Sequence, residues 1–249
     1  MSNIVTAPNL TVVPSEKKPV LEVRNLNAWY DESHVLHGVD IQLNEGELVV
    51  LIGKNGAGKT TTLRSIIGIG PRATGEIHLF GRPILGRPPE AIGRLGLAYC
   101  PEERAIFSSL TVEENLFLPP VIGPNRLSVE EIFELFPNLK ERLATQGTKL
   151  SGGEQQMLAI ARILRTGARV LMLDEPTEGL APVIVEQIAK TIAILKKKGF
   201  TILLVEQNLA FAMSVLDRIY LVDQGRTVDV LDKNATSARI DDLKAWLSV

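Results

Sequence analysis

Apolar residues recur along this chain in two rhythms, and the switches between them mark its elements. Val20-Leu21-Glu22-Val23 opens the ordered part with strand-like alternation. Trp29-Tyr30-Asp31 breaks that pattern, and Val35-Leu36 followed by residues 39–43 predicts a further strand. Asn44-Glu45-Gly46 turns the chain into an unbroken apolar run, Leu48-Val49-Val50-Leu51-Ile52. The opening therefore predicts an antiparallel, hairpin-like layer beside a buried strand. A helix follows and is stopped by Gly68 and Gly70-Pro71; residues 75–80 and 95–99 predict short strands, separated by a loop over 81–89. Two reciprocal caps start helices, Thr111 with Glu114 and Ser128 with Glu131, and the second carries Ile132, Leu135 and Phe136 before Pro137.

Beyond residue 150 the period alternates regularly: helix from Ser151, strand 169–173, helix from about 182, strand 201–205. The helix after Pro182 places Ile184, Ile188, Ile192 and Leu195 on one face, ends in Lys196-Lys197-Lys198 and stops at Gly199. Residues 218–230 return to strand-like alternation around Gly225. Helices between continuous apolar strands imply an α/β fold, its mostly parallel central sheet covered on both faces. To this the pattern adds the antiparallel β layer and a helical subdomain inserted at about 90–150. Residues 1–19, with Pro8, Pro14 and Pro19, predict a flexible tail before one domain over 20–249.

Composition narrows the function classes. The 249 residues suffice for one large domain with a subdomain, and 45% apolar with 22% charged residues is a globular balance. A net charge of −2 carries no basic footprint, so nucleic acid is not an expected partner. The single cysteine, Cys100, excludes an internal disulfide and a cysteine-built metal site; it reads as a core or loop residue. His34, His37 and His78 show no ligand spacing. No apolar run approaches the ~18 residues of a membrane span, and no leader pattern opens the chain. The expectation is a soluble cytosolic chain whose membrane role, if any, runs through a partner.

Three stretches carry chemistry. After the 48–52 strand, Gly-Lys-Asn-Gly-Ala-Gly-Lys-Thr at 53–60 matches the spacing G-x-x-x-x-G-K-[ST] of a P-loop. Glycines at Gly53, Gly56 and Gly58 are expected to take positive φ, so that successive N–H groups turn onto a phosphate at a helix N-terminus. Lys59 would reach the β- and γ-phosphates, and the Thr60 hydroxyl would ligate Mg²⁺. Val170-Leu171-Met172-Leu173 ends in Asp174 and Glu175. Asp174, at the C-terminal edge of a buried strand, would hold Mg²⁺ opposite Thr60, and Glu175, pointing elsewhere, would act as general base. In Leu150-Ser151-Gly152-Gly153-Glu154-Gln155-Gln156, Ser151 and Glu154 form a capping box. Gly152 and Gly153 leave the first turn bare for an external anion, although each costs about 1 kcal/mol against Ala there.

In this order the three stretches resemble the ATPase subunit of an ABC transporter, over nearly the whole chain from about residue 20. The resemblance implies a P-loop NTPase that binds ATP and Mg²⁺ through Gly53, Lys54, Asn55, Gly56, Ala57, Gly58, Lys59, Thr60 and Thr61. Tyr30 matches the aromatic residue that stacks on adenine. The resemblance further implies a head-to-tail pair with an identical or second ABC ATPase, in which Ser151, Gly152, Gly153 and Glu154 of one chain contact the ATP held by the other. Glu102 stands where the family usually has a Gln that senses Mg²⁺ and meets the membrane subunit. Gln207 stands where it usually has a His that contacts γ-phosphate. Gln207 can donate a hydrogen bond but carries no proton near neutral pH, so the catalytic set is Glu175, Lys59 and Gln207.

Pro101-Glu102-Glu103-Arg104, Leu110-Thr111-Val112-Glu113-Glu114-Asn115-Leu116, Gly179-Leu180-Ala181-Pro182 and Val205-Glu206-Gln207-Asn208 resemble one branch, the second ATPase of branched-chain amino acid importers. Thr177-Glu178-Gly179 is similar to its urea-type relatives, and amide and aromatic-acid importers are also close. That branch implies two membrane permeases, a periplasmic solute-binding protein reached through them, and a position on the inner face of the cell membrane. A non-transport ABC ATPase is the alternative. A P-loop kinase or GTPase would leave residues 150–156 without a role, and no Asn-Lys-x-Asp sequence is present.

Overall fold

A computed structural model describes residues 18–124 and 126–248. The expected tail lies, up to residue 17, outside the described residues.

The first layer is a four-stranded antiparallel sheet in the order β2-β1-β4-β5, from β1 (Pro19–Tyr30), β2 (Ser33–Asn44), β4 (Arg72–Leu79) and β5 (Arg82–Pro83). β1 does not break at Trp29: it runs through Tyr30 and turns only at Asp31, whose φ is 49°. Register shifts, one of them at Asn25 with φ 46°, absorb the irregular apolar spacing within the strand.

The second layer is a six-stranded sheet in the order β10-β9-β3-β8-β7-β6. Its strands are β3 (Leu48–Ile52), β6 (Leu97–Cys100), β7 (Val170–Asp174), β8 (Thr201–Glu206), β9 (Arg218–Asp223) and β10 (Arg226–Asp232). The first five run parallel, and β10 returns antiparallel to β9 through Gln224 and Gly225, both at positive φ. Strict alternation divides the core. Leu48, Val50, Ile52, Leu171, Leu173, Ile202 and Leu204 face one apolar cluster; Val49, Leu51, Val170, Met172, Leu203 and Val205 face the other. All are buried, which is why these strands read as continuous apolar runs.

The helices are α1 (Lys59–Ile67), α2 (Pro89–Arg94), α3 (Val112–Phe117), α4 (Val129–Leu135), α5 (Pro137–Glu141), α6 (Gly152–Leu164), α7 (Pro182–Lys197), α8 (Leu209–Val215), α9 (Lys233–Ala238) and α10 (Ile240–Ser248). The capping boxes expected at Thr111, Ser128 and Ser151 are all formed. The apolar pattern does not predict α2, α8, α9 or α10, which span too few turns for a helical period to stand out. For α8 and α9 the caps were the available signal: Asn208 accepts from Phe211 N–H at 3.1 Å and Asp232 from Ala235 N–H at 2.8 Å. β6 lies within the 90–150 span of the expected subdomain, yet it pairs with β7 in the six-stranded sheet. The inserted helical part, α3 to α5, therefore begins after Cys100.

Candidate functional site

The C-terminal ends of β3, β6, β7 and β8 converge on one cleft, lined by Val35, Asn55, Gly56, Gly58, Lys59, Thr60, Thr61, Glu102, Glu175, Glu178 and Gln207. The P-loop crosses from β3 to α1, and its glycines serve different ends. Gly56 and Gly58 have φ of 76° and 102°, as expected. Gly53 does not take a positive φ: a Cβ there would stand 2.2 Å from the Val222 carbonyl oxygen, so close packing on β9 is what demands glycine. Gly58 combines both demands, since a Cβ would lie 2.6 Å from Leu36 Cδ2. The β9–β10 turn also braces the loop, with Gly225 N–H donating to the Ala57 carbonyl at 2.9 Å.

Lys59 is buried at 4% exposure. Its ammonium donates to the carbonyls of Gly53 at 2.9 Å and Lys54 at 3.1 Å, and lies 3.4 Å from Glu175 Oε1. Glu175 turns its carboxylate to other partners than those of Asp174 while keeping it in this cleft. Its φ of 44° follows the extended β7 with a left-handed turn, which brings the carboxylate back into the cleft. There the Gln207 side-chain amide donates to its second oxygen. Lys59 and Gln207 thus hold the two oxygens of Glu175.

Beside this group the Thr60 hydroxyl donates to Asp174 Oδ1 at 3.1 Å, and the Tyr99 hydroxyl to Asp174 Oδ2 at 2.9 Å. Burial pushes the Asp174 carboxyl up to about 6; the bonds from Tyr99 and Thr60 oppose it, and the charges of Glu175 and Glu102 add to it. Burial and the Asp174 charge also raise Tyr99 well above the usual tyrosine range, which keeps it a donor. Thr60 and Asp174 form a hard, all-oxygen donor pair of the kind Mg²⁺ takes when phosphate oxygens and water complete the shell. Among the described residues no group of three or more His, Cys, Asp or Glu side chains converges as metal ligands. The donor set therefore fits an ion shared with phosphates and not an all-protein cage. Glu102 lines the cleft as an exposed carboxylate whose charge acts on Asp174 and Glu178.

Three residues of this neighbourhood escaped sequence reasoning. Tyr99 reaches Asp174 from the adjacent parallel strand, a position that could have been found from its place at a strand C-terminus. Glu178 enters the cleft wall, its carboxyl raised by burial and by the charges of Glu175 and Glu102. Glu206, at the end of β8, accepts the Thr177 hydroxyl at 2.7 Å and so ties the turn after β7 to the end of β8, next to Gln207. Burial raises its carboxyl.

Tyr30 is not among the cleft-lining residues. It is 38% exposed at the end of β1, beside Gly70. Ser151, Gly152 and Gly153 also lie outside the cleft, at the N-terminus of α6. Ser151 is exposed and Glu154 closes its cap while pairing with Arg142 at 2.7 Å. The bareness of this turn has an internal cause: a Cβ on Gly153 would lie 3.0 Å from Ile184 Cγ1 of α7, and one on Gly152 would lie 3.2 Å from Arg104 Nη1. Cys100 is buried, and burial pushes its thiol up to about 12. The rings of His34 and His37 lie tilted to one another with centroids 4.0 Å apart on the outer sheet, and among the described residues no third ligand joins them.

The ABC transporter family model matches residues 36–178. The chain is 42% identical to the high-affinity branched-chain amino acid transport ATP-binding protein BraG of Pseudomonas aeruginosa, covering 84% of this chain and 91% of that protein. It is 40% identical to the probable branched-chain amino acid transport ATP-binding protein LivF of Archaeoglobus fulgidus, over 83% and 89%. The lipopolysaccharide export system ATP-binding protein LptB of Escherichia coli is 35% identical, over 84% and 88%. Among solved structures, an ATP-binding subunit of an ABC transporter superposes with a TM-score of 0.75 at 31% identity, over 92% of this chain and all 100% of that one. With the P-loop, the Asp174–Glu175 edge and the capped Ser151 turn arranged as described, this chain belongs to the ABC transporter family, as an ATP-binding subunit that hydrolyses ATP.

Proposed function

We propose that this chain powers the import of branched-chain amino acids or a related small solute, hydrolysing ATP between two head-to-tail ATPase subunits. The observation that carries the reading is the division of the nucleotide machinery. Lys59, Thr60, Glu175 and Gln207 share one cleft with Asp174 hydrogen-bonded at its floor, whereas Ser151, Gly152 and Gly153 lie outside it on the same chain. Such a division leaves the second anion-receptive turn for the ATP of a partner, either a second copy or a second ABC ATPase.

The P-loop N–H groups and Lys59 bind and orient the phosphates, and an arriving phosphate competes with Glu175 for the third Lys59 donor. Glu175, held by Gln207, is then released to take the proton of an attacking water. Mg²⁺, when bound, neutralises phosphate charge, and Thr60 and Asp174 would hold it. Tyr30 would stack on adenine once the nucleotide extends beyond the phosphates.

The importer assignment leans on the names of BraG and LivF; the likeness to LptB, at 35% identity, favours export less. Urea, amide and aromatic-acid uptake belong to the same reading. No helix among the described residues is long and apolar enough to cross a membrane. Two permeases would supply the passage and hold this subunit on the inner membrane face, with a periplasmic binding protein delivering the solute. Glu175→Gln tests the core of the proposal. We expect ATP binding to persist, turnover to fall about 10²-fold or more, and ATP to convert the chain to a dimer by light scattering. Normal turnover would remove Glu175 from its role, and an ATP-bound monomer would overturn the two-chain site.

A further inference from the structure

The segment after β6 sends three consecutive side chains to three places. Glu102 lines the nucleotide cleft, Glu103 pairs with Arg64 of α1 at 2.9 Å, and Arg104 lays its guanidinium against Gly152 in the first turn of α6. Arg104 and Ala105 both take positive φ, 63° and 48°, a conformation that costs an L-residue about 1–2 kcal/mol. Arg162, itself on α6 and 9% exposed, holds this turn in place. It donates to the Ala105 carbonyl at 2.9 Å and the Arg104 carbonyl at 3.3 Å, with the Phe107 ring 5.7 Å from its guanidinium carbon. A buried charge on α6 thus fixes a strained turn whose outcome is the position of the Arg104 guanidinium.

Arg104 forms no ion pair or side-chain hydrogen bond among the described residues. The carboxylate at the same helix end, Glu154, is already taken by the Ser151 N–H at 2.8 Å and by Arg142 at 2.7 Å. The start of α6 therefore carries both its helix dipole and an unneutralised guanidinium, beside a glycine that leaves the guanidinium its room.

We propose that Arg104 is a phosphate-binding residue of the two-chain site, engaging with Ser151 and Gly152 the terminal phosphate of ATP held by the P-loop of a second subunit. The proposal rests on the two-chain reading above and adds a cation to the partner's side of it. A guanidinium can fork onto two phosphate oxygens, and it is most effective where phosphoryl charge accumulates.

The test uses the full chain carrying Glu175→Gln, with Arg104→Gln, Arg104→Lys or Ser151→Arg added. Two quantities are measured: affinity of the dilute monomer for a fluorescent ATP analogue, and the ATP concentration that half-saturates dimer formation. Arg104→Gln should leave monomer affinity within about twofold and raise the dimerisation concentration about tenfold or more. Arg104→Lys should recover part of that loss. Unchanged dimerisation by Arg104→Gln while Ser151→Arg abolishes it would overturn the Arg104 assignment alone. Unchanged dimerisation by both variants would overturn the two-chain reading itself. Weakened monomer affinity in Arg104→Gln, or a lysine variant no better than glutamine, would also overturn the phosphate contact.

Discussion

Asp174 shows what a single residue's surroundings do to its chemistry. It has no exposed surface, its two oxygens accept from Thr60 and Tyr99, and burial still lifts its carboxyl to about 6. Its folded pKa is above its unfolded value, so the native chain binds the extra proton. Without nucleotide and Mg²⁺, stability therefore falls as pH rises from about 4 to about 6 and stays reduced above that, by about 3 kcal/mol for two pKa units. Asp174→Asn should accordingly raise the melting temperature of the nucleotide-free chain at pH 7.5, gain progressively less toward pH 4, and abolish ATP turnover. Calorimetric scans across this range check it; an equal gain at every pH would refute the burial account. Lys59, Thr60, Asp174 and Glu175 were legible as functional from residue type and spacing. That Lys59 and Gln207 each hold one oxygen of Glu175 was not, because a left-handed φ at a non-glycine residue leaves no mark in the sequence.

Among the elements, α6 is the one whose sequence has more than one explanation. Ser151 and Glu154 specify its start locally, and the capping box forms as expected. The two glycines look, in sequence, like an opening for an anion, whereas in the fold Gly153 is where α7 packs through Ile184. A double substitution separates the two causes. Gly153→Ala should lower stability by about 1–2 kcal/mol through overpacking, and adding Ile184→Ala should relieve the crowding. If helix contact alone demands glycine, the double variant regains turnover along with the crowding relief; if phosphate approach also demands it, turnover stays low. Urea denaturation and steady-state ATPase assays read the two effects independently. The turn after β6 belongs to the same scale: Glu103 links it to α1 and Arg162 links it to α6, so both helices share a single connector.

For the whole molecule, the outer antiparallel sheet and the C-terminal hairpin act as a frame for the P-loop. Gln42 N–H donates to the Tyr220 hydroxyl at 3.0 Å, His37 N–H to the Gly225 carbonyl at 2.8 Å, and Gly225 N–H to Ala57. Between β6 and α6, Phe107, Phe117, Leu118 and Val121 remain 42–50% exposed, apolar side chains that the proposed permeases would meet. Leu118→Asp with Val121→Asp should leave ATP turnover of the isolated chain unchanged and abolish copurification with the proposed permeases; retained copurification would exclude this surface. By itself the sequence determined the α/β class, the buried strands, the three capped helix starts and the chemistry of the P-loop and Asp174–Glu175 edge. Periodicity, caps and motif spacing are local properties, readable over a few consecutive residues. Only the tertiary structure decided that Val222 demands glycine at 53, that Tyr99 and Gln207 hold the two carboxylates, and that Arg104 stands at Gly152. Each of these joins residues far apart in the chain, where the cause lies in packing and no local pattern records it.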